Sequence, residues 1–325
     1  MAQPPLAPEL PTRPYLKPWY RLGRGESKLV LEYGHSSIIF EGRATERLLP
    51  SLLALLDGTH TLAEIETMLG EAAAPAVRNA LQLLCERRLL TEGPPLDSGE
   101  LRPVADTVHF LAAAVHGSSI ASVREALATS LVGVLGTGPI ATEVIRALQL
   151  AGVRTSRTGW DDDEAVTCDL VIAAPSGDEL SELGPWNRRA LDTGTAWLQL
   201  LPFDGRIAAI GPLFVPFETC CYECYRLRRL STIDYPDEHE LLENVAQPAA
   251  SATTLNAAIA GIGGTIALRW LVAQDHFAPG TLSALETAPY LSLAAHSVYR
   301  VPRCQACSPV RSSAQPLPWH KEVAA

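Results

Sequence analysis

Charge is sparse in this sequence. Asp, Glu, Lys and Arg make up 19% of its 325 residues, and their formal sum is -10. Proteins that bind nucleic acid neutralise phosphates with clustered Lys and Arg, so this balance argues against such a partner. Long apolar runs are also missing. The longest, residues 257–268, is rich in Gly and stops at Arg269. It is too short to span a bilayer and reads as a tightly packed core helix, so no membrane partner is expected. Residues 1–18 hold six prolines, with neither the basic start nor the apolar stretch of a secretory signal; they read as an irregular lead-in. A disulfide framework is absent too. Four of the seven cysteines form two CxxC pairs, which suits a metal in a reducing compartment, and the expected location is the cytoplasm. There is no internal repeat, and no nucleophile–base arrangement stands out. The eight histidines are scattered, and His109 and His296 read as structural.

What remains is a globular composition, 47% apolar, long enough for two domains. Its acidity is uneven. Residues 1–95 carry 10 basic and 11 acidic side chains, leaving 16 and 25 for the rest. In the N-terminal part, residues 28–33 and 37–41 are β-rich runs joined by a turn containing Gly34 and Ser36, which predicts a hairpin. Three helical segments follow. The first covers about 45–56, with Leu48, Leu49, Leu52, Leu53 and Leu56 on one face and Pro50 awkwardly within it. Thr61-Leu62-Ala63-Glu64 opens the second as a capping box. The third begins near Pro75 and spaces Val77, Leu81, Leu84 and Leu89 helically. Gly93-Pro94-Pro95 closes the block as a linker. The expected result is a small winged-helix-like domain over residues 19–93.

Residues 94–130 read as a helical connector. Residues 131–135 form a buried strand running into Gly136-Thr137-Gly138-Pro139-Ile140-Ala141 and a helix to Leu150. Strands at 154–158 and 168–174 and a helix near 183–191 continue the alternation, which predicts a parallel sheet covered by helices. Antiparallel strands follow at 196–202 and 206–215, with a last hairpin over 281–300.

The CxxC pairs are the strongest signal for chemistry. Structural zinc takes four tetrahedral ligands, and two residues between cysteines let one turn present both sulfurs to one ion. Cys221, Cys224, Cys304 and Cys307 are the expected ligands; Cys220 could replace Cys221, but only Cys221 has the spacing to Cys224. Cys85 and Cys168 sit in apolar patterns and read as core. The loop at Gly136 and Gly138 is a G-x-G-x-x-A fingerprint between a strand and a helix, with Asp161, Asp162 and Asp163 about twenty residues on. A nucleotide site is conceivable there, although Pro139 removes an amide that would face a phosphate. Arg226, Arg228 and Arg229 read as a solvated helix face. The N-terminal domain has no basic surplus for DNA, but its strand at 37–41 reads as an exposed edge on which a peptide could pair.

The run Leu131–Ala141 and the two CxxC settings, Phe217–Cys224 and Val301–Cys307, resemble the ThiF/ubiquitin-activating-enzyme-like fold, a Rossmann-type sheet with a four-cysteine zinc site. Residues 19–92, with Leu55-Leu56-Asp57-Gly58-Thr59-His60-Thr61-Leu62-Ala63-Glu64-Ile65, resemble the PqqD-like recognition element of peptide natural-product pathways. Together they look like the ThiF-like leader-peptide-binding protein of thiazole/oxazole-modified microcin pathways, thiopeptide-type ones included. The resemblance implies capture of a precursor's leader by Ser37, Ile38, Ile39, Phe40 and Glu41, with Val77, Leu81, Leu84 and Arg88 as the other wall. It further implies a YcaO-type cyclodehydratase partner, structural zinc, and a possible homodimer. An adenylating member would carry an Asn-Leu-x-Arg-Gln-like run and an acidic magnesium ligand. Here those stretches read Thr158-Gly159-Trp160-Asp161-Asp162-Asp163 and Ala173-Ala174-Pro175-Ser176-Gly177-Asp178. ATP use by this chain is therefore not expected. An ATP-dependent adenylating enzyme acting through the 136–141 loop is the alternative.

Overall fold

In a computed structural model of the chain, the described residues are 10–17, 20–25, 28–42, 45, 48–87, 89–93, 102–115, 118–235, 245, 252–275 and 278–308. Arg88 and the linker prolines Pro94 and Pro95 lie outside them. Among the described residues the chain is a mixed α/β structure with nine α-helices, and it divides into two compact units.

The first unit comprises Met1–Thr129, Leu150–Gly152 and Leu271–Gln274. Its three-stranded sheet has the order β2(Arg21–Arg24)–β3(Lys28–Tyr33)–β4(Ser36–Glu41), all antiparallel. The apolar alternation sets its faces. Leu29, Leu31 and Ile38 are buried against α1(Leu49–Leu55), α2(Leu62–Leu69) and α3(Ala74–Glu86), while Ser37, Ile39 and Glu41 point outward. The described helix α1 covers Leu49–Leu55, with Pro50 accommodated in its opening turn; Thr45 is also helical, and the residues on either side of it lie outside the described ones. Thr61 and Glu64 form the expected capping box at the start of α2.

The lead-in is not wholly irregular. β1(Pro14–Leu16) pairs antiparallel with β5(Leu90–Glu92), and Leu16 joins the core. The family-like run around Asp57 explains this. Asp57 accepts from the Thr59 backbone and hydroxyl, at 2.9 and 2.5 Å, and Gly58 takes the left-handed turn at φ 78°. That turn leaves Gly58 and Leu62 N–H groups to donate back to the Pro14 and Thr12 carbonyls. α4(Arg102–Ala114) and α5(Ile120–Thr129) complete the unit, where Tyr15 Oη meets His109 Nδ1 at 3.1 Å.

The second unit carries a seven-stranded sheet. Its chain-order strands are β6(Leu131–Leu135), β7(Arg154–Thr158), β8(Leu170–Ala173), β9(Trp197–Leu200), β10(Ile207–Phe214), β11(Thr281–Glu286) and β12(Ser292–Ser297). They lie in the order β12-β11-β10-β9-β8-β6-β7. β7, β6, β8 and β9 pair in parallel; the rest of the sheet is antiparallel. α6(Pro139–Leu150) links β6 to β7, and α7(Leu183–Thr193) links β8 to β9. The chain therefore leaves β6 toward one neighbour and returns on its other side at β8. Sheets with such a reversal position ligands outside the carboxyl ends of the strands at that point, here β6 and β8. Cys168, expected in the second parallel strand, precedes it and is half-buried, as is Cys85.

α9(Thr253–Ala273) has 21 residues and is the one helix among the described residues long and apolar enough to cross a membrane. Its buried residues, Asn256, Ile259, Ala260, Gly263, Gly264 and Ala267, follow one helical stripe. A Cβ on Gly263 would come within 2.4 Å of the Leu200 side chain. Gly263 thus lets one stripe of the helix press onto β9, while Ala257, Ala258, Gly261 and Thr265 on its other side are exposed.

Candidate functional site

Three places answer the sequence expectations, and the four-cysteine cluster is the best defined. Cys221 is the N-cap of α8(Tyr222–Leu230), which puts Cys224 one turn on, and the two sulfurs lie 3.8 Å apart. Cys304 and Cys307 lie on the turn after β12. Cys221–Cys304 and Cys224–Cys307 sulfur distances are 3.7 and 3.5 Å, and all four buried sulfurs fall within 4.8 Å of one another. A tetrahedron with zinc–sulfur bonds of about 2.3 Å has edges of about 3.8 Å. A disulfide needs about 2.05 Å, so these spacings are those of ligands around an ion. The donor set and geometry fit a metal such as zinc.

Without an ion, the thiols share their protons unevenly. Shared hydrogen bonding with Cys224, together with burial, pushes the Cys221 thiol far up. The Cys224 thiol is pulled down by the Cys221 hydrogen bond and by the Val301 N–H, which donates to it at 3.3 Å. Cys220, buried beside the cluster, is pushed up to about 12 by burial and stays a neutral thiol. Four buried sulfurs this close can all ionise only around a cation.

Pairs so distant in sequence need staples. Arg300 donates to the Phe217 carbonyl at 2.7 Å and to the Cys307 carbonyl at 2.8 Å, tying one cysteine loop to the other. Arg228 donates to the carbonyls of Tyr299 and Arg300. Arg226 pairs with Glu223 and Arg229 with Asp204. The basic run after Cys224 is therefore spent on structure instead of forming a solvated face. Trp197 and Phe214, ring centroids 4.4 Å apart, pack in the same cluster as the cysteines.

The second place is the outer edge of the first unit. Among the described residues β4 has one strand neighbour, β3, so its other side offers free backbone groups. Ile39, opposite Val30, is 57% exposed on the outer face; Ser37 and Glu41 flank it, Ile38 is buried and Phe40 half-buried. Val77, Leu81 and Leu84, expected as a groove wall, are buried in the core with Ile38. They support β4 from behind because their helical spacing is that of the inward stripe of α3. The half-buried Ala80 and Leu83 are the accessible apolar residues of that helix bordering the same core.

The third place is the glycine loop. Gly136 sits at φ 107°, and a Cβ there would lie 2.1 Å from the Ala174 carbonyl oxygen. Gly138 lies against Ser176, its ideal Cβ 3.4 Å from the Ser176 Cα. Gly136 is thus needed for the close approach of segment 174–179, whereas a Cβ at Gly138 would make only ordinary contact. Glu179 from that segment reaches back to the loop. Its carboxylate accepts from the Thr137 N–H at 3.0 Å, the Ser176 N–H at 2.8 Å, the Ser176 hydroxyl at 2.7 Å and the Trp160 indole at 3.5 Å. Burial raises this carboxyl, but the Ser176 and Thr137 hydrogen bonds outweigh it and hold it below the usual range. Two of the three aspartates are engaged by the protein itself. Asp162 accepts from the Gly159 N–H, and Asp163 pairs with Arg189 at 2.6 Å. Asp178 is exposed. Glu179 escaped the sequence reading, since it stands 42 residues from the amide it meets.

No protein-family model matches the chain, and no curated protein matches it. Solved structures do. The chain is similar to the heterocyclase TruD, with 23% identity and a TM-score of 0.67 over 91% of this chain and 43% of that one. It is similar to a heterocyclase in complex with substrate and cofactor, at 21% identity and TM-score 0.66, over 90% of this chain and 39% of that one. E. coli MccB with ATP matches at 15% identity and TM-score 0.65, over 91% of this chain and 99% of that one. At such identities the likeness is one of fold: this chain shares its fold with part of the two heterocyclases, spanning less than half of their length, and with nearly all of MccB.

Proposed function

We propose that this chain is a ThiF-like leader-binding subunit, with a PqqD-like winged helix in the first unit and a Rossmann-type sheet with structural zinc in the second. The leader of a ribosomally made precursor adds as a strand to β4. Its core is thereby held at a partner YcaO-type cyclodehydratase, which forms azolines. The observation that carries the reading is the open β4 edge, centred on an exposed isoleucine in a unit without basic surplus. Backbone pairing supplies affinity and the outward residues supply selectivity. Because Val77, Leu81 and Leu84 lie behind the sheet, the groove's other wall is assigned to Ala80 and Leu83. The fold likeness supports the reading further: two heterocyclases share this chain's fold over part of their length. The contribution of this chain is proximity, which raises the effective concentration of the core at the partner's site.

The MccB likeness, over 99% of that chain, favours adenylation as a second reading. The filled glycine loop weighs against it. Pyrophosphate exchange by the chain alone would establish adenylation. Cyclisation by the partner that requires this chain, and fails with Ile39→Asp, would establish the leader role.

A further inference from the structure

We propose that Glu179 is a built-in occupant of the glycine loop, standing where a nucleotide phosphate would and closing the loop to it. The proposal deepens the non-adenylating half of the reading above and is independent of leader capture.

Strand-to-helix glycine loops bind phosphate because several N–H groups and the positive end of the helix macrodipole converge on one anion. In this chain the convergence survives. The Thr137 and Ser176 N–H groups, the Ser176 hydroxyl and the Trp160 indole supply four donors from three separate segments, and all four point at the Glu179 carboxylate. The loop follows β6 and leads into the twelve-residue α6, so the dipole adds to the same attraction. Pro139 offers no N–H to a larger ligand, which removes one amide from the loop's anion site.

The backbone secures this occupant. Gly136 rests on the Ala174 carbonyl and Gly138 on Ser176, so the segment bearing Glu179 lies directly on the loop. A carboxylate satisfied by four donors has no reason to leave, and a second anion would face its charge at contact distance. The first fingerprint glycine, Gly136, is thus explained by an internal contact, with no nucleotide required.

The test is isothermal titration of the zinc-loaded full chain with pyrophosphate and, separately, Mg-ATP. Wild type is expected to show no binding at about 1 mM. Glu179→Ala is expected to gain pyrophosphate binding at least tenfold. Glu179→Gln, which keeps an oxygen for the amides while losing the charge, is expected to gain less. Wild-type binding of either ligand well below about 1 mM overturns the proposal, whatever the variants do. A Glu179→Ala chain that is folded by circular dichroism but gains no binding overturns it equally. If that variant does not fold, an unchanged Glu179→Gln overturns it and a partial gain supports it. Leader binding measured on the same samples separates the two claims: loss of leader binding in wild type would sink the scaffold reading and leave this one standing.

Discussion

Cys224→Ser removes one of four sulfurs from a cluster in which three of the sulfur–sulfur spacings, 3.5 to 3.8 Å, match the edges of a zinc tetrahedron. Structural zinc contributes about 10–16 kcal/mol of apparent binding free energy in small zinc domains. A whole domain is stable by only about 5–15 kcal/mol. Even a quarter of the zinc term, about 3 kcal/mol, is therefore a large share of the second unit's stability. For a unit of this size that corresponds to a fall in Tm of about 6–12 °C. The damage should spread inward, because Trp197, Phe214 and Tyr225 share the cysteines' core. The assay pairs zinc content by mass spectrometry with near-UV circular dichroism during a thermal melt. Wild type should carry one zinc per chain, and Cys224→Ser should lose both zinc and the aromatic signal. Cys168→Ser, half-buried and outside the cluster, is the control and should keep both. A zinc-free Cys224→Ser chain melting within a degree or two of wild type would refute the structural role.

Other perturbations follow from the same contacts. Ile39→Asp leaves the core untouched. Against a bound leader it exchanges an isoleucine that is more than half free for a carboxylate, costing about 2 kcal/mol or more, so leader affinity should fall about 30-fold with Tm unchanged. Gly136→Ala forces a Cβ onto the Ala174 carbonyl at a left-handed position and should destabilise the second unit by about 3 kcal/mol, read by urea melts. Thr61→Ala opens the capping box and should cost the first unit about 1 kcal/mol. Burial raises the Asp57 carboxyl, but its hydrogen bonds from Thr59 win and hold it below 3.8 in the folded chain. A lowered folded value means stability present above 3.8 and lost as pH falls through the folded value, so the gap between wild type and Asp57→Asn should close in acid.

Local signals carried far in this sequence because each acts within one turn or strand. The capping box at Thr61, Pro75 at the opening of α3, and the strand at 154–158 stand where their side chains demand. The CxxC spacing named all four clustered cysteines, since a turn fixes each pair. Contacts between distant segments were not legible. Pro14–Leu16 becomes a strand only because β5 is beside it, and nothing near Pro14 announces that. Arg228 and Arg229 look solvated until Tyr299 and Asp204 come within reach. Helical spacing put Val77, Leu81 and Leu84 on one face, but that face turns inward, and periodicity alone does not say whether a stripe meets a core or a ligand. Glu179 is the clearest case, because its meaning depends on a loop 42 residues away.

The most direct test of the leader-binding account is fluorescence anisotropy of a labelled leader titrated with the zinc-loaded chain alone, without ATP. The leader is taken from a short reading frame nearby whose core is rich in Cys, Ser and Thr. Micromolar or tighter binding, lost in Ile39→Asp, is the predicted result. No binding by the folded, zinc-loaded chain would contradict the account.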